Sequence, residues 1–187
     1  MMKIVPKKPK NKPTWTDLKR GLAGLDRAGL LELIQDLYAA NKDNQNFLHA
    51  RFSLGDDVLS PYKATISRWV CPDVIRGQDI SIARAKKAIS DYKKAIGRPE
   101  GLAELTVFYC EECVSLLNFC GMDDEGYYDA LVLMFERALK ATTNVNTELQ
   151  TSFIERLEQV FLESRDYGYG VNDDMGDLMS EYGYYEE

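Results

Sequence analysis

The sequence is poor in the residues on which most enzyme active sites depend. It contains one histidine, His49, and four cysteines, Cys71, Cys110, Cys113 and Cys120, in 187 residues. A single histidine excludes the di-iron helix bundles that need Glu-x-x-His on two helices. No Gly-x-Ser-x-Gly motif is present to expose a serine nucleophile. The sequence therefore predicts no catalytic residue, no cofactor and no metal site.

Disulfide-rich and membrane-spanning architectures are not supported either. Four cysteines are few for this length and do not form a secreted-type disulfide framework, so we expect reduced thiols. No apolar run approaches the roughly 20 residues that a transmembrane helix needs. The basic stretch "MMKIVPKKPKNKP" lacks the apolar region of a secretory signal. We therefore expect a cytoplasmic protein without a membrane partner.

Cys110 and Cys113 form a Cys-x-x-Cys pair, a motif typical of redox or metal sites. Here the motif falls in the middle of a predicted helix, away from the helix N-terminus that would lower a thiol pKa. A tetrahedral zinc ion would need two further ligands, and only Cys71, Cys120 and His49 remain. We therefore interpret these cysteines as packing residues.

Strand signals are also missing, because no alternating β-branched runs are joined by Asn-Gly type turns. Apolar residues instead recur every three or four positions, as in Leu30, Ile34 and Leu37. The sequence predicts an all-α fold of about eight helices in antiparallel pairs, as an irregular or helical-repeat-like bundle without a sheet. It also predicts a disordered Lys/Pro-rich arm over 1–13 and one helical domain over 14–187, whose C-terminal segment is acidic and rich in glycine and tyrosine.

Charge is distributed very unevenly along the chain. Residues 1–98 carry 19 Lys and Arg against 10 Asp and Glu, a net charge of +9. Residues 99–187 carry 4 against 20, a net charge of −16, so the whole chain has a net charge of −7. A chain of this kind can pair its two halves within the fold, bind partners of two kinds, or associate head to tail.

The stretch "SIARAKKAISDYKKAIGR", residues 81–98, is the strongest local charge feature. Helical spacing predicts a buried stripe of Ile82, Ala85, Ile89, Tyr92 and Ile96, with lysines along one side of it. Such a side could follow a phosphate backbone or bind an acidic protein. The alternative is that it is solvated or faces the acidic half of the same chain. The candidate residues for binding an anionic partner are Arg84, Lys86, Lys87, Lys93, Lys94 and Arg98.

Four blocks of sequence together resemble a known family. They are "GLLELIQDLYAANKDNQNFL" (29–48), "ISIARAKKAISDYKK" (80–94), "YYDALVLMFERALK" (127–140) and "GYGVNDDMGDLMSEY" (168–182). In this order and spacing they are similar to an uncharacterised bacterial all-helical family, a domain of unknown function. The resemblance implies a bacterial cytoplasmic setting and a single helical domain over roughly residues 17–185. It implies no activity, cofactor or site residue.

These observations leave three functional hypotheses. The favoured one is a non-enzymatic helical interaction module, an adaptor or scaffold, that binds another protein and uses its charge asymmetry for orientation. The alternative is a nucleic-acid-associated accessory protein that binds the phosphate backbone through residues 81–98. The least favoured is an enzyme with a site near His49, where Asn41, Asp43 and Arg51 are also polar.

Overall fold

The computed structural model describes residues 12–52, 54 and 57–184, which form nine α-helices and no strand. The all-α prediction is therefore confirmed for this part of the chain. The predicted arm over 1–13 lies outside the described residues except for Lys12 and Pro13. The helices are α1 (Trp15–Leu22), α2 (Arg27–Ala40), α3 (Lys42–Arg51), α4 (Ser60–Val70), α5 (Ile82–Ala95), α6 (Pro99–Cys120), α7 (Glu125–Thr142), α8 (Thr147–Glu163) and α9 (Val171–Glu181).

Contacts divide the chain into two compact units, Met1–Gln45 and Asn46–Glu187. The single domain over 14–187 stays a prediction. In the structure, no residue among 12–45 is buried. An apolar repeat shows which side of a helix is apolar, but it does not show whether another element covers that side.

The first unit begins its helices with side-chain caps. The hydroxyl of Thr14 accepts from the backbone N–H of Asp17, and the Asp17 carboxylate accepts from the N–H of Thr14. This reciprocal pair is a capping box. Asp26 caps α2 by accepting from the N–H of Gly29. Local sequence therefore sets the start of both helices, even though neither buries a side chain.

In the second unit, α6 is the central helix. It contacts α4, α5, α7 and α8, while α9 packs on α7 and α8. Half of its 22 residues are buried, including Leu105, Tyr109 and Leu116. A helix that packs against others on several sides must be apolar on more than one side, and the apolar residues of α6 are accordingly spread around the helix.

α5 and α6 approach each other closely where Tyr92 of α5 meets Gly101 of α6. α5 buries Ala85, Ala88 and Ala95 together with Tyr92. A Cβ atom on Gly101 of α6 would lie 1.9 Å from the Tyr92 hydroxyl oxygen. The ring of Tyr92 meets the ring of Tyr62 edge-on, with the ring centroids 5.4 Å apart. Glycine at position 101 therefore makes the space in which Tyr92 lies.

An ion-pair network ties α4, α6 and α8 together. Arg156 of α8 donates to both oxygens of Glu111, each at 2.7 Å, and to Glu104 at 2.6 Å. Lys63 of α4 forms a second ion pair with Glu104, also at 2.6 Å. Burial raises the pKa of Glu104, but the hydrogen bonds from Arg156 and Lys63 outweigh this effect, so the pKa lies below its ordinary value.

The tyrosines of the C-terminal segment attach it to the rest of the second unit. The Tyr167 hydroxyl donates to Asn118 at 2.7 Å, and its ring packs edge-on against Tyr128. Tyr184 accepts a hydrogen bond from the Gln150 amide at 2.7 Å. The segment is therefore anchored by its tyrosine rings and hydroxyls as far as residue 184.

Candidate interaction surfaces

α1 and α2 present the most apolar exposed surface of the first unit. On α1, Trp15 and Leu18 are spaced by three residues and lie on one side of the helix, and Trp15 is 67% exposed. On α2, Leu30, Ile34 and Leu37 recur at four and three residues and are all exposed. We define the N-terminal apolar surface as Trp15, Leu18, Leu25, Leu30, Leu31, Ile34 and Leu37.

The buried face of α5 differs from the prediction. The sequence assigns it to Ile82, Ile89 and Ile96 together with Ala85 and Tyr92. In the structure the three isoleucines are only half-buried, and Ala88 and Ala95 are buried instead. The buried side of α5 is therefore made of small side chains and Tyr92, and the isoleucines lie beside it.

This difference changes the environment of the predicted basic residues. Lys86 is half-buried, and its pKa is lowered by burial and by the nearby Arg137 guanidinium. Lys87 forms an ion pair with Asp91, one turn further along α5. Neither lysine is therefore an exposed, uncompensated charge, and the basic row expected from the sequence is not continuous.

Arg84 is exposed and stacks on an aromatic ring. Its guanidinium carbon lies 4.1 Å from the centroid of Trp69, and that of Arg68 lies 4.3 Å from the same centroid. The Arg68 guanidinium also donates to the carbonyl of Asp79. Cation–π stacking of this kind contributes about 0.5–1 kcal/mol at exposed sites. It holds α4, α5 and the connection between them in place.

Lys93, Lys94 and Arg98 are the remaining candidates, and all three are exposed. None of them forms an ion pair with a residue that the structure describes. Lys93 and Lys94 are adjacent near the C-terminus of α5, where positive charge complements the helix dipole. The structure thus leaves a small basic patch at the C-terminal end of α5 rather than a whole basic face.

The interpretation of the cysteines as packing residues holds for Cys110 and Cys113 but not for Cys120. Cys110 and Cys113 are buried in α6, and burial raises the pKa of Cys113 to about 12. Cys71 is half-buried, whereas Cys120 is exposed at the end of α6. Within the described ranges, no group of three or more His, Cys, Asp and Glu side chains could hold a metal ion.

The polar residues near His49 have local structural roles. Asn41 accepts from the backbone N–H of Asn44 at 2.9 Å, as a helix cap does. The Arg51 guanidinium donates to the carbonyl of Ala95 at the end of α5. His49 is half-buried on α3. These contacts are typical of capping and of tying helix ends.

Sequence reasoning missed a groove between α7 and α9. It has a volume of about 250 Å³. Val132, Leu133 and Leu178 form its apolar part. Four exposed carboxylates surround them, and no described residue forms an ion pair with any of the four. These carboxylates belong to Glu136, Asp174, Asp177 and Glu181.

Helical spacing brings the acids of this α7–α9 groove together. Val171, Met175 and Met179 are buried and anchor α9. Asp174, Asp177 and Glu181 follow one another at three and four residues, so they share another side of the helix. Like charges at this spacing destabilise a helix by about 0.2–0.5 kcal/mol per pair. The spacing of these acids is visible in the sequence as D-x-x-D-L-x-x-E, but the sequence does not show that α7 packs beside them.

Comparisons with known proteins return no match to a protein-family model, a curated protein or a solved structure. The resemblance to the bacterial domain of unknown function stays a prediction. None of the described helices is both long and apolar enough to cross a membrane.

Proposed function

We propose that this chain is a non-enzymatic helical interaction module that binds another protein through the N-terminal apolar surface. One observation carries the proposal: α1, α2 and the connection between them expose the seven apolar side chains of this surface, and neither helix buries a residue. Leu30, Ile34 and Leu37 share one side of α2, and exposed apolar patches of this kind mark sites of protein or membrane interaction. The proposal places the chain in a bacterial cytoplasm, as the sequence suggests.

The lengths of the two helices support this function. α1 has 8 residues and α2 has 14, and isolated helices shorter than about 12–15 residues are marginal in water. Their stability normally comes from packing an apolar side against another element. Full burial of one Leu or Ile side chain contributes about 1.5–3 kcal/mol. A partner that covers Leu30, Ile34 and Leu37 therefore stabilises α2 through the packing that the free chain does not provide.

The spacing on α2 also indicates the mode of recognition. Leu30, Ile34 and Leu37 form the kind of anchor row that enters a hydrophobic groove in helix-in-groove recognition. The partner surface is then an apolar groove or the exposed side of another helical bundle. Opposite charge on the two halves of the chain orients the encounter rather than supplying most of the affinity.

Photo-crosslinking along α2 tests the proposal. A photoreactive amino acid is placed in turn at Leu30, Ile34 and Leu37, and as matched controls at Glu32 and Asp36 on the polar side of the same helix. The full chain is crosslinked in its native host, the adducts are identified, and the complex is rebuilt from purified proteins. We expect one discrete adduct from the apolar positions only.

The rebuilt complex then gives the affinity. Ile34→Glu is expected to weaken binding by about a hundredfold, because it places a charge in an apolar contact, whereas Asp36→Lys changes it by less than about threefold. Adducts of equal yield from both sides of α2, or an Ile34→Glu protein that binds like the wild type, would contradict the proposal.

A second candidate function is binding to a nucleic-acid backbone, and the exposed cations at the C-terminal end of α5 favour it. Lysine binds phosphate without sequence preference, and such binding weakens steeply with salt. Labelled single- and double-stranded DNA and RNA are titrated at roughly 50 and 200 mM salt. The Lys93→Glu/Lys94→Glu protein should lose binding, and Lys140→Glu on α7 should keep it. Absence of binding at the lower salt concentration excludes this candidate.

A further inference from the structure

The α7–α9 groove combines two properties that together specify an occupant. Its floor is apolar, with Leu133 48% exposed and Val132 and Leu178 half-buried. Its rim carries four exposed carboxylates, those of Glu136, Asp174, Asp177 and Glu181. An occupant must therefore offer apolar side chains with positive charges on either side of them.

The rim lacks compensating charge of its own. Among the residues that the structure describes, none forms an ion pair with these carboxylates. Burial raises the pKa of the Tyr182 hydroxyl, and the negative charges of Glu136 on α7 and Glu181 on α9 raise it further. The negative field over the groove is thus contributed by both helices, and it is open to an external cation.

The chain itself contains a segment with the required chemistry. Residues 1–13 hold five lysines and no acid. Within them, the apolar pair Ile4-Val5 is flanked by Lys3 on one side and by Lys7 and Lys8 on the other. The segment thus has an apolar pair between positive charges, and the groove has an apolar floor between negative charges, so the two are complementary.

We propose that the α7–α9 groove binds the Lys-rich segment of residues 1–13 of a second copy of this chain. Ile4 and Val5 contact Val132, Leu133 and Leu178, and the flanking lysines pair with the rim carboxylates. The inference goes beyond the proposed function, because it uses neither α1 nor α2.

The symmetry of this contact predicts the form of the assembly. Each copy offers one basic segment and one acidic groove, so two copies that exchange their segments reciprocally form a two-fold dimer. Contacts that are not reciprocated extend head to tail into rings or open chains. Self-association should therefore grow with protein concentration, and it should weaken with salt because the rim charges are exposed.

Charge reversal in the full chain tests the inference by sedimentation velocity. One variant, Lys7→Glu/Lys8→Glu, reverses the segment, and another, Glu136→Lys/Asp177→Lys, reverses the groove. A control, Glu155→Lys/Glu158→Lys, makes the same charge change on exposed positions of α8. We expect each of the first two variants to weaken self-association by about tenfold or more. The control should associate at least as strongly as the wild type.

Mixing the two reversed variants tests directly whether the segment of one copy binds the groove of another. The reversed groove of one variant is complementary to the reversed segment of the other, and the unchanged segment and unchanged groove also remain complementary. The mixture should therefore associate more strongly than either variant alone. Thermal unfolding is recorded for each variant to show that it is folded. A wild-type protein that stays monomeric at low salt would overturn the inference. So would association that survives both reversals, or a mixture that does not associate.

Discussion

Replacing Gly101 by alanine tests the close contact between α5 and α6. The new Cβ atom would lie 1.9 Å from the Tyr92 hydroxyl oxygen and 2.4 Å from the ring carbon that carries it. Tyr92 is 3% exposed and its ring meets that of Tyr62, so it cannot turn aside without displacing a second buried ring. The substitution must therefore move α5 away from α6 or strain the Tyr92 side chain.

Two effects of opposite sign decide the result. Gly→Ala inside a helix stabilises by about 0.5–1 kcal/mol, because alanine has less backbone freedom to lose on folding. Overpacking a close contact costs about 1–3 kcal/mol. For Gly101 the second effect should win by roughly 1 kcal/mol or more, which lowers Tm by about 2–4 °C per kcal/mol in a protein of this size.

Gly176 of α9 offers the matched control. A Cβ atom there would meet the Phe161 ring at 3.5 Å, an ordinary van der Waals distance. Gly176→Ala should therefore show the helix effect alone and raise Tm by about 1–4 °C. Both variants are followed by circular dichroism on heating. A Gly101→Ala protein as stable as Gly176→Ala would refute the account of this contact.

Two further predictions follow from the core of the second unit. The pKa of Glu104 is lowered in the folded state, so its ion pairs stabilise the protein fully above the unfolded-state pKa. This contribution is lost as the pH falls through the folded-state pKa, which lies below about 4.5. Arg156→Met should lower the free energy of unfolding by about 1.5–3 kcal/mol at pH 7. In acid titrations it should also make the decrease in Tm between pH 5 and 3 less steep. An unchanged decrease would show that other groups cause it. A thiol reagent should label exposed Cys120 rapidly in the native protein, whereas buried Cys110 and Cys113 should react only with denaturant; rapid labelling of either would contradict their burial.

The elements were predictable from the sequence because their signals are local. Asp26 as the cap of α2, Pro61 in the first turn of α4 and Gly97 after α5 are all placed by backbone chemistry within a few residues. The buried side of α5 was not predictable from its own pattern, because it depends on the helices that pack on α5. The contact between Tyr92 and Gly101, for example, joins α5 to another helix.

The interaction surfaces were predictable only in part for the same reason. The sequence identified the charge of residues 84–98, but the compensation of Lys87 by Asp91 and the burial of Lys86 beside Arg137 are tertiary facts. The α7–α9 groove joins positions about 40 residues apart, so neither helix alone reveals it. The apolar side of α2 was visible as a pattern, and only the structure shows that it is exposed.

The measurement that tests the central account most directly is the thermal unfolding of the full chain with Leu30→Ser and Ile34→Ser together. If the N-terminal apolar surface serves binding rather than folding, both substitutions fall on exposed positions and change stability by no more than about 0.5 kcal/mol each. The account predicts a Tm within about 2–4 °C of the wild type. A decrease of about 10 °C or more, comparable to the loss of a core side chain, would show that these residues are buried in the protein and would contradict the account.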